Sequence, residues 1–598
     1  MNSEPLAVVF DASDVDQFLR DRPPCREVLA LTPECRAALE AAGIDSRTTA
    51  LRYSHIGHLR SVVRLRRTLR DLDASLSSSD RLGLAAKESF RLSAGRVVAS
   101  GSRIWETLGT EPDWLVHHEG AWQTSSTRGE AYRLLAARIL RRRVGAIGDR
   151  MPLFPELYRR LSRLQSHLLR GRHPVVIDDP RGWIPELQLK INDASRATST
   201  LLLRFTNGGI ADYLLLFRAM LKTLVTPENG RLVVAPAAAR NVDGDIRSIV
   251  GGVSDPVSKM ALAAAIDDLA ADVQATTSLA EAFLRKFHVI RPYAVLSDGF
   301  GAGRHAALGQ AAKDAGADCY ILGCQGSNTV PKSATGRWMM TEIARGRLVS
   351  PFASTCYADT PHAAELADAA RVSERSTKVS PVRAGRIARP SRGREAQPFV
   401  ILHASNFTNW NDHLPFVIDT SDEYVAGLER LVNAVSANFD LRLIIRAKGK
   451  RECDTDVLRR LLPSNTNVSF SSGMSFEQDL ARAQLVVGNM TRTLEQALMS
   501  RIPILLLTGL GLYQHFAPRT SPPTRADRAA VYAEPANGRL AELVRAIGAA
   551  HEYEALTDDE LRGLVWPEDA PGLEAVAADI VGAEQRSAIP DQRRSTPA

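Results

Sequence analysis

Between Gly488 and Glu495 the chain reads Gly-Asn-Met-Thr-Arg-Thr-Leu-Glu, set between apolar runs at 485–487 and 504–507. The pattern predicts strand, turn, helix, turn, strand, with the helix from about Met490 to Ser500, a βαβ unit of a parallel sheet. Asn489, Thr491 and Thr493 fall at the start of that helix, where free backbone N–H groups and the helix dipole favour an anion. Glu495 follows one turn in. Such a place suits a nucleotide diphosphate, although the same residues also serve as a plain helix cap. A second unit runs from the strand at 293–297 through Asp298-Gly-Phe-Gly-Ala-Gly303 and a helix at 304–315 to a strand at 319–322, closing on the loop that holds Gln325 and Ser327. Asp298 has the chemistry of a general base, or it caps its turn. A third strand, 199–205, leads into Asn207, Gly208 and Gly209, where glycines allow a ligand to approach the backbone closely. His403 closes the strand at 399–403, and Arg446 and Lys448 lie in the basic exit of the strand at 441–445.

The elements that carry these residues fall into blocks along 598 residues, a length that implies several domains. Residues 1–55 read as a small α/β unit, part of the N-terminal half, and 56–172 as a basic helical block. Residues 173–370 read as a Rossmann-like domain and 371–398, rich in Lys, Arg, Ser and Pro, as a linker. Residues 399–584 form a second Rossmann-like domain, followed by a disordered tail at 585–598. The chain carries a formal charge of +7, and Arg133 to Arg172 alone holds eleven arginines against Asp149 and Glu156. With leucines at helical spacing, that segment is expected either to pack between domains or to lie on an anionic membrane surface. Nucleic acid is not expected, because aromatics are not interleaved with the charges. No run of 18 apolar residues and no secretory leader is present, which predicts a cytoplasmic protein, at most peripheral on the inner membrane. The six cysteines lack zinc spacing. Asp243-Gly-Asp245 and Asp454-Thr-Asp456 read as turn and cap residues, so neither a metal nor a cofactor is expected.

Two α/β halves joined by a linker, the second ending in the strand–turn–helix–strand unit, resemble GT-B glycosyltransferases. The C-terminal half is similar to transferases of bacterial surface polysaccharide, of the capsule, O-antigen and teichoic-acid type. The resemblance rests on Arg446-Ala-Lys-Gly-Lys450, Asn467-Val-Ser-Phe470, Leu480 to Leu498 and Ile502-Pro-Ile-Leu505, with looser likeness at Arg291 to Asp298 and Ile321 to Ser327. It spans about Tyr293 to Val581. It implies an α/β fold with two Rossmann-like domains and a helical, Arg-rich block inserted in or preceding the N-terminal half. It also implies a nucleotide-sugar donor held by Arg446, Lys448, Asn489, Thr491 and Thr493, with Glu495 on the ribose. Asn207, Gly208, Gly209, Gln325, Ser327 and His403 would line either the site of the acceptor, a glycan or lipid-linked molecule, or the interdomain cleft, with Asp298 as base. The chain departs from the family where His-Pro commonly follows the basic strand, here Ala447-Lys448, and where a His commonly stands, here Gln325-Gly326-Ser327. A nucleotide-sugar epimerase of the same fold and a non-catalytic assembly protein are the competing expectations.

Overall fold

The computed structural model describes residues 4–48, 55–110, 113–140, 155–170, 174–178, 184–195, 199–205, 210–225, 229–234, 241–323, 334–370, 377–383, 398–405, 407, 419–436, 440–447, 453–471, 473–489, 491–507, 516–534, 538–551 and 554–588. Three sheets organise these residues.

The largest sheet has seven parallel strands. From one edge to the other they are Lys378–Pro381, Thr355–Ala358, Asp318–Gly323, Ala294–Ser297, Val175–Ile177, Thr200–Phe205 and Asn229–Val234. Chain order reverses between Val175–Ile177 and Ala294–Ser297, so a Rossmann-like switch point lies at the carboxyl ends of those two strands. The six-stranded sheet is likewise parallel, in the order Val468–Phe470, Leu441–Ile445, Phe399–His403, Leu485–Gly488, Ile504–Leu506, Val531–Ala533. Its switch point falls between Phe399–His403 and Leu485–Gly488. The chain is therefore α/β with two Rossmann-like domains.

Period-two alternation sends successive strand residues to opposite faces, and both faces are covered. Val176, Leu201, Val295 and Ile321 meet a thick helical layer that includes His55–Ser77, Leu84–Leu108, Ile266–Ile290 and Gly303–Asp314. On the other face, Val175, Ile177, Leu296 and Tyr320 meet Leu187 and Ile191 of helix Ile184–Ala194 and Val576, Ala577 and Ile580 of helix Leu573–Ala588. In the six-stranded sheet, Ile401, Leu443, Val487 and Leu505 pack under helices Ser421–Ser436 and Leu540–His551, and Leu402, Val486 and Ile504 pack against Leu494 and Leu498.

Four expectations change. The block at 56–172 is not purely helical: Trp114–His118 and Ala121–Ser125 form a hairpin that completes a five-stranded sheet with Leu6–Val9, Glu27–Ala30 and Ser46–Thr48. Its turn, Glu119-Gly120, has φ of 49° and 84°, a pairing that suits a tight hairpin. Secondly, the segment read as a linker supplies the edge strand Lys378–Pro381; its low apolar content fits an edge, which buries little. Residues 371–376 and 384–397 lie outside the described residues. Thirdly, the last helix leaves the second domain and packs on the seven-stranded sheet, and it extends through 588 into the segment expected as a tail. Fourthly, the arginine-rich stretch divides. Helix Arg128–Ile139 is a packing element, with Tyr132, Leu135, Ala136 and Ile139 buried and Arg138 bonded to Asp11 and Asp14.

The helical layer is tied to the second domain by one fully buried ion pair. Arg103 Nη2 donates to Glu423 Oε1 at 2.8 Å and to Thr420 Oγ1 at 3.0 Å, while Glu423 Oε2 accepts from Thr420 N at 2.8 Å. Truncating one member of a buried pair strands the other charge, at a cost of about 3–5 kcal/mol. Arg103→Ala is therefore expected to lower unfolding free energy by about that amount in urea denaturation, and the double Arg103→Leu/Glu423→Leu variant by less than the single change.

Candidate functional site

The opening unit folds as the sequence predicts: strand Leu485–Gly488, helix Arg492–Met499, strand Ile504–Leu506. Thr491 is the helix cap, its Oγ1 accepting from Thr493 N at 3.4 Å. The Thr493 hydroxyl is spent inside the fold, donating to Ala404 O at 2.7 Å. Gly488 lies so near the neighbouring strand that a Cβ would sit 2.9 Å from Ala404 O, which explains glycine there. Ser405 Oγ bridges the Asn489 backbone, accepting from its N–H at 2.9 Å and donating to its carbonyl at 3.1 Å. The Asn489 side chain is buried, and its Oδ1 meets no hydrogen-bond partner among the described residues. An orphaned buried amide at a switch point is the arrangement a ligand completes.

His403 ends the adjacent strand. It is buried against the Tyr424 ring at 5.4 Å, its Nδ1 has no partner among the described residues, and burial holds its pKa down to about 3. It is a neutral side chain at the same switch point. Arg446 turns the other way, toward strand Val468–Phe470, and binds Asp479 Oδ2 at 2.7 Å and Met474 O at 3.0 Å. It is not brought together with Asn489. Asn207, Gly208, Gly209, Gln325, Ser327 and Lys448 lie outside the described residues.

Glu495 is buried among the described residues. Across the domain junction it faces Asp359, at the carboxyl end of strand Thr355–Ala358, and Arg492 Nη2 approaches Asp359 Oδ2 at 3.4 Å. Burial raises both carboxyl pKa values, Asp359 to about 6, and their mutual repulsion adds to the rise at Glu495, while Arg492 partly opposes it. The junction thus holds two carboxyls and one guanidinium, and burial shifts both carboxyls toward their protonated form.

At the first domain's switch point a second cluster forms around the expected Asp298, and its other members, Asp178, Ser297 and His305, were not marked by the sequence. Asp178, directly after strand Val175–Ile177, is buried, and its Oδ2 lies 3.0 Å from His305 Nδ1. Ser297 Oγ lies 3.3 Å from both groups, and Asp298 Oδ1 lies 3.7 Å from His305 Nδ1. His305 Nε2 accepts from Arg304 Nε at 3.1 Å, which fits the Nδ1–H tautomer aimed at Asp178. Burial pulls the imidazole pKa down, but the Asp178 hydrogen bond and charge outweigh it and the net shift is upward. For Asp178, burial acts upward and His305 wins, leaving it below the ordinary range. The helix that carries His305 is held at its start, where Gly303 N donates to Ser89 Oγ at 2.8 Å and Ser89 donates to Asp272 at 2.8 Å. The neighbouring glycines serve packing: a Cβ on Gly301 would stand 2.9 Å from Gly346 Cα. The signal for this cluster lay in the apolar run ending at Asp178 and in the histidine just inside the helix, but nothing local links the two.

Both clusters share one edge of the seven-stranded sheet. Asp359 ends a strand two places from Ala294–Ser297 and three from Val175–Ile177, so His305 sits about 10–14 Å along the edge that touches helix Arg492–Met499.

No protein-family profile matches the chain, and no curated protein matches it. Solved structures similar to this chain include sucrose-phosphate synthase from Thermosynechococcus elongatus, 12% identical, covering 69% of this chain and 99% of that chain at a TM-score of 0.38. UDP-GlcNAc 2-epimerase from Neisseria meningitidis bound to UDP-GlcNAc is 11% identical, with 69% and 99% covered and a TM-score of 0.37. The UDP-GlcNAc 2-epimerase from Methanocaldococcus jannaschii is 12% identical, with 69% and 99% covered and a TM-score of 0.35. Likeness this distant assigns no residue a role.

A carboxyl held protonated in the fold stabilises it at acid pH and loses that contribution as pH rises through its folded pKa. For Asp359 the loss runs from about pH 4 to just above its value of about 6. His403 acts oppositely, because its depressed pKa makes stability fall as pH drops below its ordinary value. Comparing wild type with Asp359→Asn isolates the first effect. Glu495 keeps its own raised pKa, so the variant is expected to show a smaller decline than the wild type between pH 4.5 and 7, by at most about 3 kcal/mol in unfolding free energy.

Proposed function

We propose that the chain is a glycosyltransferase of GT-B architecture. It moves a sugar, or a sugar-like or polyol phosphate unit, from a nucleotide-activated donor to a bacterial surface glycan or lipid-linked acceptor. The observation that carries this reading is the pair of switch points. One presents an orphaned amide and a helix start, and the other presents a carboxylate–imidazole pair.

At the donor end, Asn489 Oδ1 and the N–H groups at the start of helix Arg492–Met499 would hold the nucleotide, with Thr491 shaping the turn and Lys448 adding charge. Glu495 is read as a junction residue that senses Asp359 rather than as a ribose ligand. At the acceptor end, His305 takes the role first expected of Asp298. Asp178 fixes the imidazole tautomer and stabilises the imidazolium that forms when Nε2 removes a proton from the acceptor hydroxyl. Arg304 must swing off Nε2 for that step, which would turn its charge toward a leaving diphosphate. Asp298, beside His305, adds to the negative field that favours the imidazolium.

The test begins with thermal shifts against UDP-, GDP-, CMP- and CDP-sugars. One class is expected to stabilise the protein, and Asn489→Ala to weaken that ligand's affinity about tenfold through one lost hydrogen bond. Stabilisation by none of them overturns the reading. With that donor, His305→Ala is expected to cut nucleotide release by about 10²–10⁴ while donor affinity stays unchanged. Because only neutral His305 acts as base and its pKa is raised, activity should climb with pH to a midpoint above that of free histidine. Asp178→Asn should move that midpoint down. A sugar epimer as the product, in place of released nucleotide, identifies an epimerase instead.

A further inference from the structure

The large apolar side chains that the fold leaves exposed are concentrated on a few helices. On helix Ile210–Val225, Leu214, Phe217, Leu221, Leu224 and Val225 are 46 to 77% exposed. Their spacing of three and four residues places them on one face, while Leu216, Ala219 and Met220 on the opposite face are buried. The stripe spans twelve residues from Leu214 to Val225, about 16 Å of helix. Beside it packs helix Pro155–Leu168, whose Leu161 joins Leu216, Ala219 and Val233 in a small core. That helix also turns Leu157 and Leu164 outward, about half exposed. Arg160, Arg163 and Arg218 stand exposed along these two helices, and Glu156, paired with Arg160 at 3.7 Å, is exposed with them.

A continuous apolar stripe rimmed by cations is costly in water and needs a cover. The rim selects the cover: arginines complement anionic headgroups while leucine and phenylalanine enter the acyl boundary. The stripe is too short to cross a bilayer, and no helix among the described residues is long and apolar enough to do so. We propose that helix Ile210–Val225, with helix Pro155–Leu168 beside it, lays the protein flat on an anionic membrane leaflet. This moves the membrane contact away from helix Arg128–Ile139, whose apolar face is core. The docking helix follows strand Thr200–Phe205, whose neighbour Val175–Ile177 ends at Asp178. The bound leaflet therefore lies on the same domain as the Asp178–His305 pair, where a lipid-linked acceptor would be presented. Membrane docking by these helices does not depend on nucleotide binding at Asn489, so either can be absent without the other.

Flotation of the full chain with vesicles of phosphatidylcholine, with and without phosphatidylglycerol, tests it. The protein is expected to float with the anionic vesicles and to be released by high salt. Phe217→Ser/Leu221→Ser and Arg160→Glu/Arg163→Glu should each lower partitioning about tenfold or more. All four positions are exposed, so the melting temperature and any nucleotide-sugar stabilisation should stay at wild-type values. Failure of the wild type to float with anionic vesicles, or wild-type flotation by both variants, overturns the proposal. Self-association of the wild type that Phe217→Ser/Leu221→Ser abolishes, without vesicle binding, also overturns it and makes the stripe a contact between copies of the chain.

Discussion

The relation between the two Rossmann-like domains depends on a charge that water cannot reach. Arg103 projects from the helical layer into the start of helix Ser421–Ser436, and Glu423 and Thr420 surround its guanidinium. Desolvating that pair is expensive, so its geometry must be satisfied from both sides at once. A shift of either domain by an ångström would leave a buried charge short of its partner. The pair thus acts as a register mark, and the rest of the junction, including Asp359 and Arg492, is built within the position it sets. Arg36, on helix Pro33–Ala41 beside the small sheet, adds a more exposed contact to Glu429 at 2.9 Å.

Both switch points follow from chain order rather than from any residue type. In each sheet the order reverses beside the first strand, so two loops diverge and leave a crevice at the carboxyl edge. In the second domain that crevice collects Ala404, Ser405 and Asn489; in the first it collects Asp178, Ser297 and Asp298, with His305 delivered by the next helix. The Ser89–Asp272 network and the Gly301–Gly346 approach hold that helix start in place, so the imidazole is oriented by packing far from its own strand.

The arginines show why composition is a coarse guide. A segment with a large excess of positive charge reads as one feature, yet Arg138 neutralises buried Asp14 while Arg160 and Arg163 face solvent. The division is set by which helix finds a sheet to cover. Arg446 illustrates the same point: its position after a central strand suggests a phosphate, and Asp479 claims it instead.

Much of the fold was legible in the chain, because strand alternation, helix caps and glycine turns are local signals. The βαβ unit from Leu485 to Leu506 and the parallel class of both large sheets follow from apolar runs broken by polar turns. The edge strand Lys378–Pro381 and the hairpin at 114–125 were not legible, since an edge buries little and its pattern is weak. The candidate site was legible by halves. Asn489 and Thr491 could be marked because they lie within one unit. Asp178 and His305 could not be joined, since they are distant in sequence and meet only where the first strand lies beside the fourth. Nor could the sequence tell Glu495 facing a ligand from Glu495 facing Asp359, because that depends on how two domains dock. Local spacing fixes which backbone groups fold together, while the partners of buried polar side chains are set by contacts between distant segments, and those only the tertiary structure decided.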